Sequence, residues 1–275
     1  MWQPETEQVW QPETMQLSLG VIGVAPSVAN SPRIDGPVVV RRITFRCSGG
    51  NQNILRFRPD WNLTGRGISD GDTPLTGPFG NTDFLHNPLT RAISLQFEHV
   101  VTASNFHFRL AVANPVAPMK TVYSSWLYER GSGMNLRQGT VSVAPFFEAA
   151  LAAGTRSTLV SATPVPYAFA IDEVLLIFAT GVQANLRVTL WAEDNDGAPT
   201  SAPPDGRPLL SGFGNIRYLT GDNAVVRLRP SDGLGEMIVR ERGMFLKIHA
   251  QNIDASAAHD VNVIVTIRQL VDFQG

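Results

Sequence analysis

The chain has 275 residues, of which 43% are hydrophobic, and its formal net charge is −2. This apolar fraction is enough for packed cores and excludes wholesale disorder. The charge balance gives no sign of a nucleic-acid binder or a membrane-surface binder. Cys47 is the one cysteine, which excludes an intrachain disulfide and a cysteine-based metal site. No apolar run reaches the roughly 18 residues of a transmembrane helix.

A short repeat stands near the N-terminus, where the pentapeptide WQPET begins at Trp2 and again at Trp10. Its prolines, Pro4 and Pro12, disfavour a helix and favour extended chain. We predict that residues 1–36 form an extended N-terminal arm and that these four residues dock on another subunit. A passive tail is the alternative. The acidic segment at the start lacks Lys and Arg, so we expect no signal peptide.

From residue 38 onward the chain carries runs rich in β-branched and aromatic residues, separated at short intervals by Gly, Asn, Asp and Pro. About ten such runs predict β-strands. Helical patterns rarely alternate with them, which argues against a parallel α/β fold. One segment, PFFEAALAAG, predicts a short helix that begins at Pro145 and stops at Gly154.

Two sequence blocks recur in the same order. Residues 43–57 match residues 174–188 at an offset of 131, and residues 73–81 match residues 207–215 at an offset of 134. The difference between the two offsets fits one small loop insertion. The repeated blocks therefore indicate an internal duplication, which suits an assembly protein better than a lone enzyme.

The duplication predicts an all-β fold of two tandem, jelly-roll-like antiparallel β-sandwich modules. We place the first module at residues 37–160 and the second at residues 161–275, with the short helix between the two sandwiches. A module of this size has a limited core and sheet edges that need covering. Packing the modules side by side, and against neighbouring subunits, addresses both needs.

The sequence holds no nucleophile elbow, P-loop, zinc-protease motif or dinucleotide turn, so neither catalytic residues nor a cofactor is predicted. Asp194 and Asp196, in WAEDNDGAP, resemble the start of a calcium loop, but the fixed glutamate and flanking helices are missing. A strand-ending turn is the simpler interpretation, and no metal site is predicted. Trp191, beside this loop, is the candidate glycan contact, although tryptophan is more often buried.

Several arginines cluster in the first module. They could contact phosphate, or they could be the exposed alternate residues of strands. Acidic residues elsewhere balance their charge, so no nucleic-acid contact is expected. The members of the cluster are Arg41, Arg42, Arg46, Arg56 and Arg58.

The segments NLRVTLWAEDNDGAP and RPLLSGFGN resemble the jelly-roll modules of carbohydrate-binding and cell-surface proteins. The whole chain, arginine-rich, nearly cysteine-free and β-rich with an N-terminal arm, resembles bacteriophage virion structural proteins. Its two modules are similar in plan to double jelly-roll capsid proteins, which trimerise into pseudo-hexamers. The resemblance implies a non-enzymatic shell, cement or tail-associated subunit.

Such a subunit is made in the host cytoplasm and acts in the virion. Its expected partners are copies of itself, as a homo-oligomer such as a trimer, and other virion proteins, with no membrane. The alternative function is a carbohydrate-binding β-sandwich protein for surface or receptor attachment. A third function, that of a β-sandwich hydrolase, is not supported, because no carboxylate pair stands out in the sequence.

Overall fold

We describe the fold from a computed structural model of the chain. The residues that the structure describes are 11–22, 27–48, 55–65, 73–75, 79–80, 82, 85–87, 92–113, 120–130, 141–177, 186–197, 207–208, 218–219, 225–232 and 237–270. Their named elements are β-strands and one 3₁₀ turn at Pro230–Asp232, and no α-helix occurs among them.

Nine strands in the first part of the chain form two antiparallel sheets. One sheet has the order β1-β9-β3-β7, and the other has the order β2-β8-β4-β5 with β6 also paired to β4. Successive strands therefore cross repeatedly from one sheet to the other. In chain order the strands are β1 (Gln11–Ile22), β2 (Ser27–Asn30), β3 (Val38–Ser48), β4 (Leu55–Asn62), β5 (Thr73–Pro74), β6 (Leu85–Asn87), β7 (Ala92–Val101), β8 (His107–Ala113) and β9 (Lys120–Arg130).

The remaining strands repeat this order position by position. One sheet runs β10-β19-β12-β16, with β17 also on β12, and the other runs β11-β18-β13-β14, with β15 also on β13. Two sheets of four strand positions wound in this order form a jelly roll. The strands are β10 (Val141–Leu151), β11 (Arg156–Val160), β12 (Phe169–Ile177), β13 (Leu186–Glu193), β14 (Arg207–Pro208), β15 (Tyr218–Leu219), β16 (Val225–Leu228), β17 (Ile238–Val239), β18 (Phe245–Asn252) and β19 (His259–Gln269). The predicted fold of two tandem jelly-roll sandwiches is confirmed.

Aromatic pairs hold the two sheets of the first module together. Phe45 of β3 stacks on Phe57 of β4 with ring centroids 4.9 Å apart, and Phe108 of β8 stacks on Trp126 of β9 at 4.8 Å. All four rings are fully buried. Because strand side chains alternate between two faces, the inward positions of both sheets meet in one core.

The local geometry also repeats between the modules. The offset of the first matched sequence block relates the first residue of β3 to the first residue of β12. The same offset relates the first residue of β4 to that of β13. The register of β3 skips at Arg41, and that of β12 skips at Asp172, the residue that the same offset makes equivalent to Arg41. Asn105 and Gly243, just before β8 and β18, both have positive φ, at 65° and 75°. The predicted internal duplication is confirmed.

The two modules share one large sheet. Val141 of β10 pairs with Glu98 of β7, so the sheets that contain these strands join into a nine-stranded sheet. Along β12, Leu175 packs in the core of the first module, whereas Leu176 packs in the core of the second. The second module's large sheet is therefore covered on both faces near the junction.

The prediction of an extended arm over residues 1–36 is wrong for the described residues. Residues 11–22 form β1, which pairs with β9 at the edge of the large sheet. Leu17 and Leu19 point into the core and are buried. The Tyr128 hydroxyl donates to the Glu13 carboxylate at 2.7 Å, and the pKa of Tyr128 is raised by burial and by that bond. This segment is a component of the first sandwich.

The predicted helix from Pro145 to Gly154 is also wrong. Pro145 lies inside β10, which pairs with β19, so sheet pairing overrides the alanine-rich local preference. Proline has no N–H to donate, and β7 pairs with β10 at Val141 alone, so the other side of Pro145 needs no donor. Strands β10 and β11 pair with β19 and β18. The first module therefore ends before Val141, not at residue 160.

The positive φ shared by Asn105 and Gly243 allows a test of the duplicated geometry. We expect Gly243→Val to lower the free energy of unfolding by about 1–3 kcal/mol, because a β-branched residue is strained at positive φ. A side chain would meet no neighbour there, so the backbone alone carries the effect. Gly243→Asn is the matched control, since the first module uses Asn105 at the equivalent position. Urea unfolding measures the free energy of unfolding of both variants. Equal losses in the two variants would contradict a requirement for positive φ at this position.

Candidate functional site

Glu98 of β7 binds an arginine from each module. Arg41, at the bulge of β3, donates from Nη1 to Glu98 Oε1 at 3.0 Å, and Arg268 of β19 donates from Nη1 to Glu98 Oε2 at 3.0 Å. Glu98 is 13% exposed, so solvent screens these bonds only in part. One carboxylate therefore links the two modules at the point where β7 meets β10.

Each arginine also has an acidic partner inside its own module. Arg41 donates from Nε and Nη2 to Glu129 Oε2 at 3.0 and 2.9 Å, and Arg268 Nη2 lies 2.7 Å from Asp172 Oδ2. Burial lowers the pKa of Arg41, but the bonds and charges of Glu129 and Glu98 outweigh it, and the net shift is upward. Both guanidinium groups therefore remain charged.

The two pairs occupy equivalent positions with their charges exchanged. Arg41 and Asp172 are the equivalent bulge residues of β3 and β12. Their partners, Glu129 and Arg268, occupy the same position in β9 and β19, counted from the first residue of each strand. A signal for this site exists in the sequence: each bulge holds two adjacent charged residues, Arg41-Arg42 and Asp172-Glu173, which interrupt the strand alternation. The sequence pattern alone indicates a surface cluster of arginines and does not predict this site.

Apolar contacts complete the junction. Phe79, from the first module, is buried in the second core and packs edge-on against Tyr167 with centroids 6.0 Å apart. The next residue, Gly80, passes so close to Pro145 that an added Cβ would lie 1.8 Å from the Pro145 carbonyl oxygen. Its own carbonyl accepts the Ala162 N–H at 2.9 Å. A glycine is required here by the close approach of two backbones.

A cavity of about 350 Å³ lies beside the ion network, and every charged residue that lines it belongs to an ion pair. Glu173 is included, since Arg229 Nε lies 2.7 Å from its carboxylate. Paired charges of both signs suit a structural role, in which they fix the orientation of two packed modules. The site positions the modules relative to each other.

Each module also buries one cation at the same position in its second sheet. In the first module Arg109 faces Asp60 across β8 and β4, and its Nε donates to Asp60 Oδ1 at 2.6 Å with both side chains fully buried. In the second module Lys247 takes the place of Arg109 and Trp191 that of Asp60. The ammonium pairs instead with Glu193, two residues further along β13. Buried charges persist only where a partner satisfies them.

The residues predicted for ligand contact lie at the end of β13 and just after it. Trp191 is 3% exposed, so its ring is not accessible and its prediction as a glycan contact is wrong. Asp194 and Asp196 are exposed at the end of β13. Between them, Asn195 accepts the Gly197 N–H at 3.1 Å, which is the hydrogen bond of an Asx turn.

Of the residues predicted to anchor the arm, Pro12 lies on β1, where it is exposed and pairs with Glu129 of β9. Trp2, Pro4 and Trp10 lie outside the described residues. In the part of the chain that the structure describes, no three or more His, Cys, Asp or Glu side chains gather as a metal site would require. Those residues also include no helix able to span a bilayer.

No protein-family model and no curated protein sequence matches the chain. Solved structures of low similarity do match. The STIV major capsid protein is 10% identical, with 94% of this chain and 96% of that chain covered and a TM-score of 0.45. The capsid protein P2 of bacteriophage PM2 is 14% identical, with coverages of 96% and 100% and a TM-score of 0.37. The Broad Bean Stain Virus structure is 9% identical, with 93% and 88% covered and a TM-score of 0.42.

The ion network at the junction predicts that removing the charge of Glu98 destabilises the protein. We expect Glu98→Gln to lower the free energy of unfolding by about 1–3 kcal/mol, because two guanidinium groups lose their shared charge. Asp35→Asn is the control, since the Arg33–Asp35 pair is 3.6 Å apart and mostly exposed. That change should cost under about 1 kcal/mol. Equally small effects in urea unfolding would show that the network does not stabilise the junction.

His99, next to Glu98 on β7, predicts a dependence of stability on pH. Burial lowers the pKa of its imidazole to about 4, from 6.5 in the unfolded chain. Its stabilising contribution is therefore fully present above pH 6.5 and is lost as the pH falls towards 4. We expect His99→Gln to lose less stability than the unmodified chain between pH 7 and 5. Parallel curves of unfolding free energy against pH would contradict this assignment.

Proposed function

We propose that the chain is a non-enzymatic virion structural protein, in which two fused jelly rolls form one rigid shell subunit. The observation that carries the proposal is the junction: two modules of equal strand order share a nine-stranded sheet and a two-arginine clamp on Glu98. Jelly rolls of this kind build viral capsids, among other proteins. A rigid pair of equivalent blocks is a suitable unit for a closed shell.

We propose that the chain forms a trimer. Three copies of a chain with two equivalent modules place six similar blocks around one axis, and closed cyclic assemblies are the common form of protein oligomers. Each contact can be weak, because several contacts form together in a closed ring. The expected partners are copies of the same chain and other virion proteins. The near-neutral charge gives no support for a nucleic-acid contact.

Strand β1 supplies a surface for such contacts. It lies at the outer edge of the nine-stranded sheet, and its outward side chains, from Pro12 to Ser18, are exposed. Edge strands present unpaired backbone groups that readily pair with another chain. The repeated Trp2 and Trp10 directly precede this edge in the sequence. We therefore assign them, with Pro4 and Pro12, to the contact with a neighbouring subunit.

A carbohydrate-binding role is the second candidate, and a specific feature favours it. A surface depression of about 280 Å³ on the large sheet is lined by Tyr123, Arg46, Gln16, Thr44 and Ser125, among others. Tyr123 is 47% exposed, whereas Trp191 is buried. An accessible aromatic ring surrounded by polar groups suits a sugar. Loss of glycan-array binding on Tyr123→Ala would support this role, and no binding by the unmodified chain would remove it.

The proposal predicts the mass of the chain in solution. We expect light scattering coupled to size exclusion to give the mass of a trimer, and the double variant Trp2→Ala with Trp10→Ala to shift the mass towards monomer. Tryptophan anchors in interfaces commonly contribute about 2 kcal/mol or more each. Thermal unfolding should show that the modules of the variant remain folded.

A monomeric unmodified chain at all concentrations would overturn the shell-subunit proposal. A double variant that assembles normally would remove the two tryptophans from the interface and leave the edge strand as the contact. Leu63→Ala is a matched control, because it removes an exposed hydrophobic side chain that follows β4 in the other sheet of the first module. Its mass should equal that of the unmodified chain.

A further inference from the structure

Lys247 is enclosed by oxygen atoms of one loop. Its side chain is 1% exposed, and its Nζ donates to the Glu193 carboxylate, to Asn195 Oδ1 at 3.0 Å and to the Gly197 carbonyl at 2.7 Å. Glu193 ends β13, and the other two residues follow it directly. An ammonium group has three protons to donate, and these three acceptors satisfy all of them.

The equivalent position of the first module has a different chemistry. Arg109 binds Asp60 opposite it, and the loop that follows β4 is closed by Asn62, whose Oδ1 accepts the Gly65 N–H at 2.8 Å. A guanidinium group is not deprotonated in proteins, so Arg109 cannot act as a nucleophile. Only the second module brings an amine, a carboxamide and a carboxylate together at this position.

We propose that Lys247 and Asn195 form an intramolecular isopeptide bond and that Glu193 is the catalytic residue that moves the protons. Lysine becomes a nucleophile when it is desolvated, and the Lys247 side chain is 1% exposed. The fold holds the amine against the side-chain amide of Asn195, which replaces a collision in solution by a fixed arrangement.

The reaction balances without another reactant. Glu193 takes a proton from the Lys247 ammonium, and the neutral Nζ attacks Cγ of Asn195. The new Nζ–Cγ bond forms, the Cγ–Nδ2 bond breaks, and Glu193 returns its proton to the departing nitrogen. The second proton of the attacking amine passes to the same nitrogen. An ammonium ion leaves, and the products are a secondary amide and an ionised Glu193.

The surroundings suit each step. Glu193 is 8% exposed, and its Oε1 is buried with no hydrogen-bond partner in the described part of the structure, so it is free to carry a proton. The Lys247 ammonium donates directly to the Glu193 carboxylate, so the initial proton transfer needs no intervening water. Asn195 is exposed, and its Nδ2 faces Asp194 Oδ1 at 3.3 Å on the solvent side. The leaving nitrogen therefore has a path to water.

The bond would join β18 to the loop after β13, between residues 52 positions apart in the chain. A covalent link of this length restricts the unfolded chain and slows complete unfolding, as a disulfide does. The effect is confined to the second module and does not depend on the proposed role in a virion.

Intact mass spectrometry of the full-length chain tests the inference. We expect the mass to be lower than the sequence mass by one ammonia, and a protease digest to contain a branched peptide joining Asn195 to Lys247. The chain has two lysines, Lys120 and Lys247, so amine labelling after denaturation should modify one lysine side chain instead of two. Glu193→Gln should keep the full mass while both reacting residues remain.

A cyclic imide at Asn195 would also release ammonia, and Lys247→Arg separates the two reactions. This variant keeps the cation that the first module uses at this position but removes the nucleophile. Full mass in Lys247→Arg supports the isopeptide bond, whereas loss of ammonia in that variant indicates the imide and overturns the inference. An unmodified chain that unfolds cooperatively yet retains its full mass and two reactive lysines overturns it as well.

Discussion

The arrangement of the two modules depends on one short backbone pairing, Val141 against Glu98, at the edge where β7 meets β10. An open sheet edge pairs readily with any strand, but one residue pair cannot fix an orientation. Side-chain contacts therefore determine the orientation of one module relative to the other. Glu98 holds an arginine from each module, and Phe79 of the first module fills the core of the second. The short pairing and the side-chain contacts act together as one interface.

The duplication explains why this interface has exchanged charges. Both modules have a bulge in the same strand, and a bulge turns one extra side chain towards the sheet surface. If the two modules were identical, a glutamate equivalent to Glu129 would stand at the position of Arg268. Glu98 would then face a like charge. With Asp172 at the second bulge and Arg268 opposite it, Glu98 instead meets two cations. Divergence of the repeats therefore made the two modules complementary to each other.

The sequence predicted the duplicated all-β fold, because matched blocks and strand alternation reflect local geometry that both modules share. It did not predict the ends of the modules. The repeated prolines, Pro4 and Pro12, favour an extended arm, although Met15, Leu17 and Leu19 alternate as strand residues do. The segment at Pro145 has an alanine-rich pattern that favours a helix, and its true pairing partner, β19, is distant in the sequence. The junction site needed the relation between Glu98 and Arg268, which the topology alone brings together.

The buried cations show a second divergence, and it affects the loops. Arg109 binds both oxygens of one carboxylate, that of Asp60 on the neighbouring strand. A lysine at the same position has three separate donors and draws in the chain after β13 to supply acceptors. The residues from Glu193 to Gly197 are thereby fixed by a charge in the core. The two modules share one framework of strands, and in the second module the buried cation also binds the loop that follows β13.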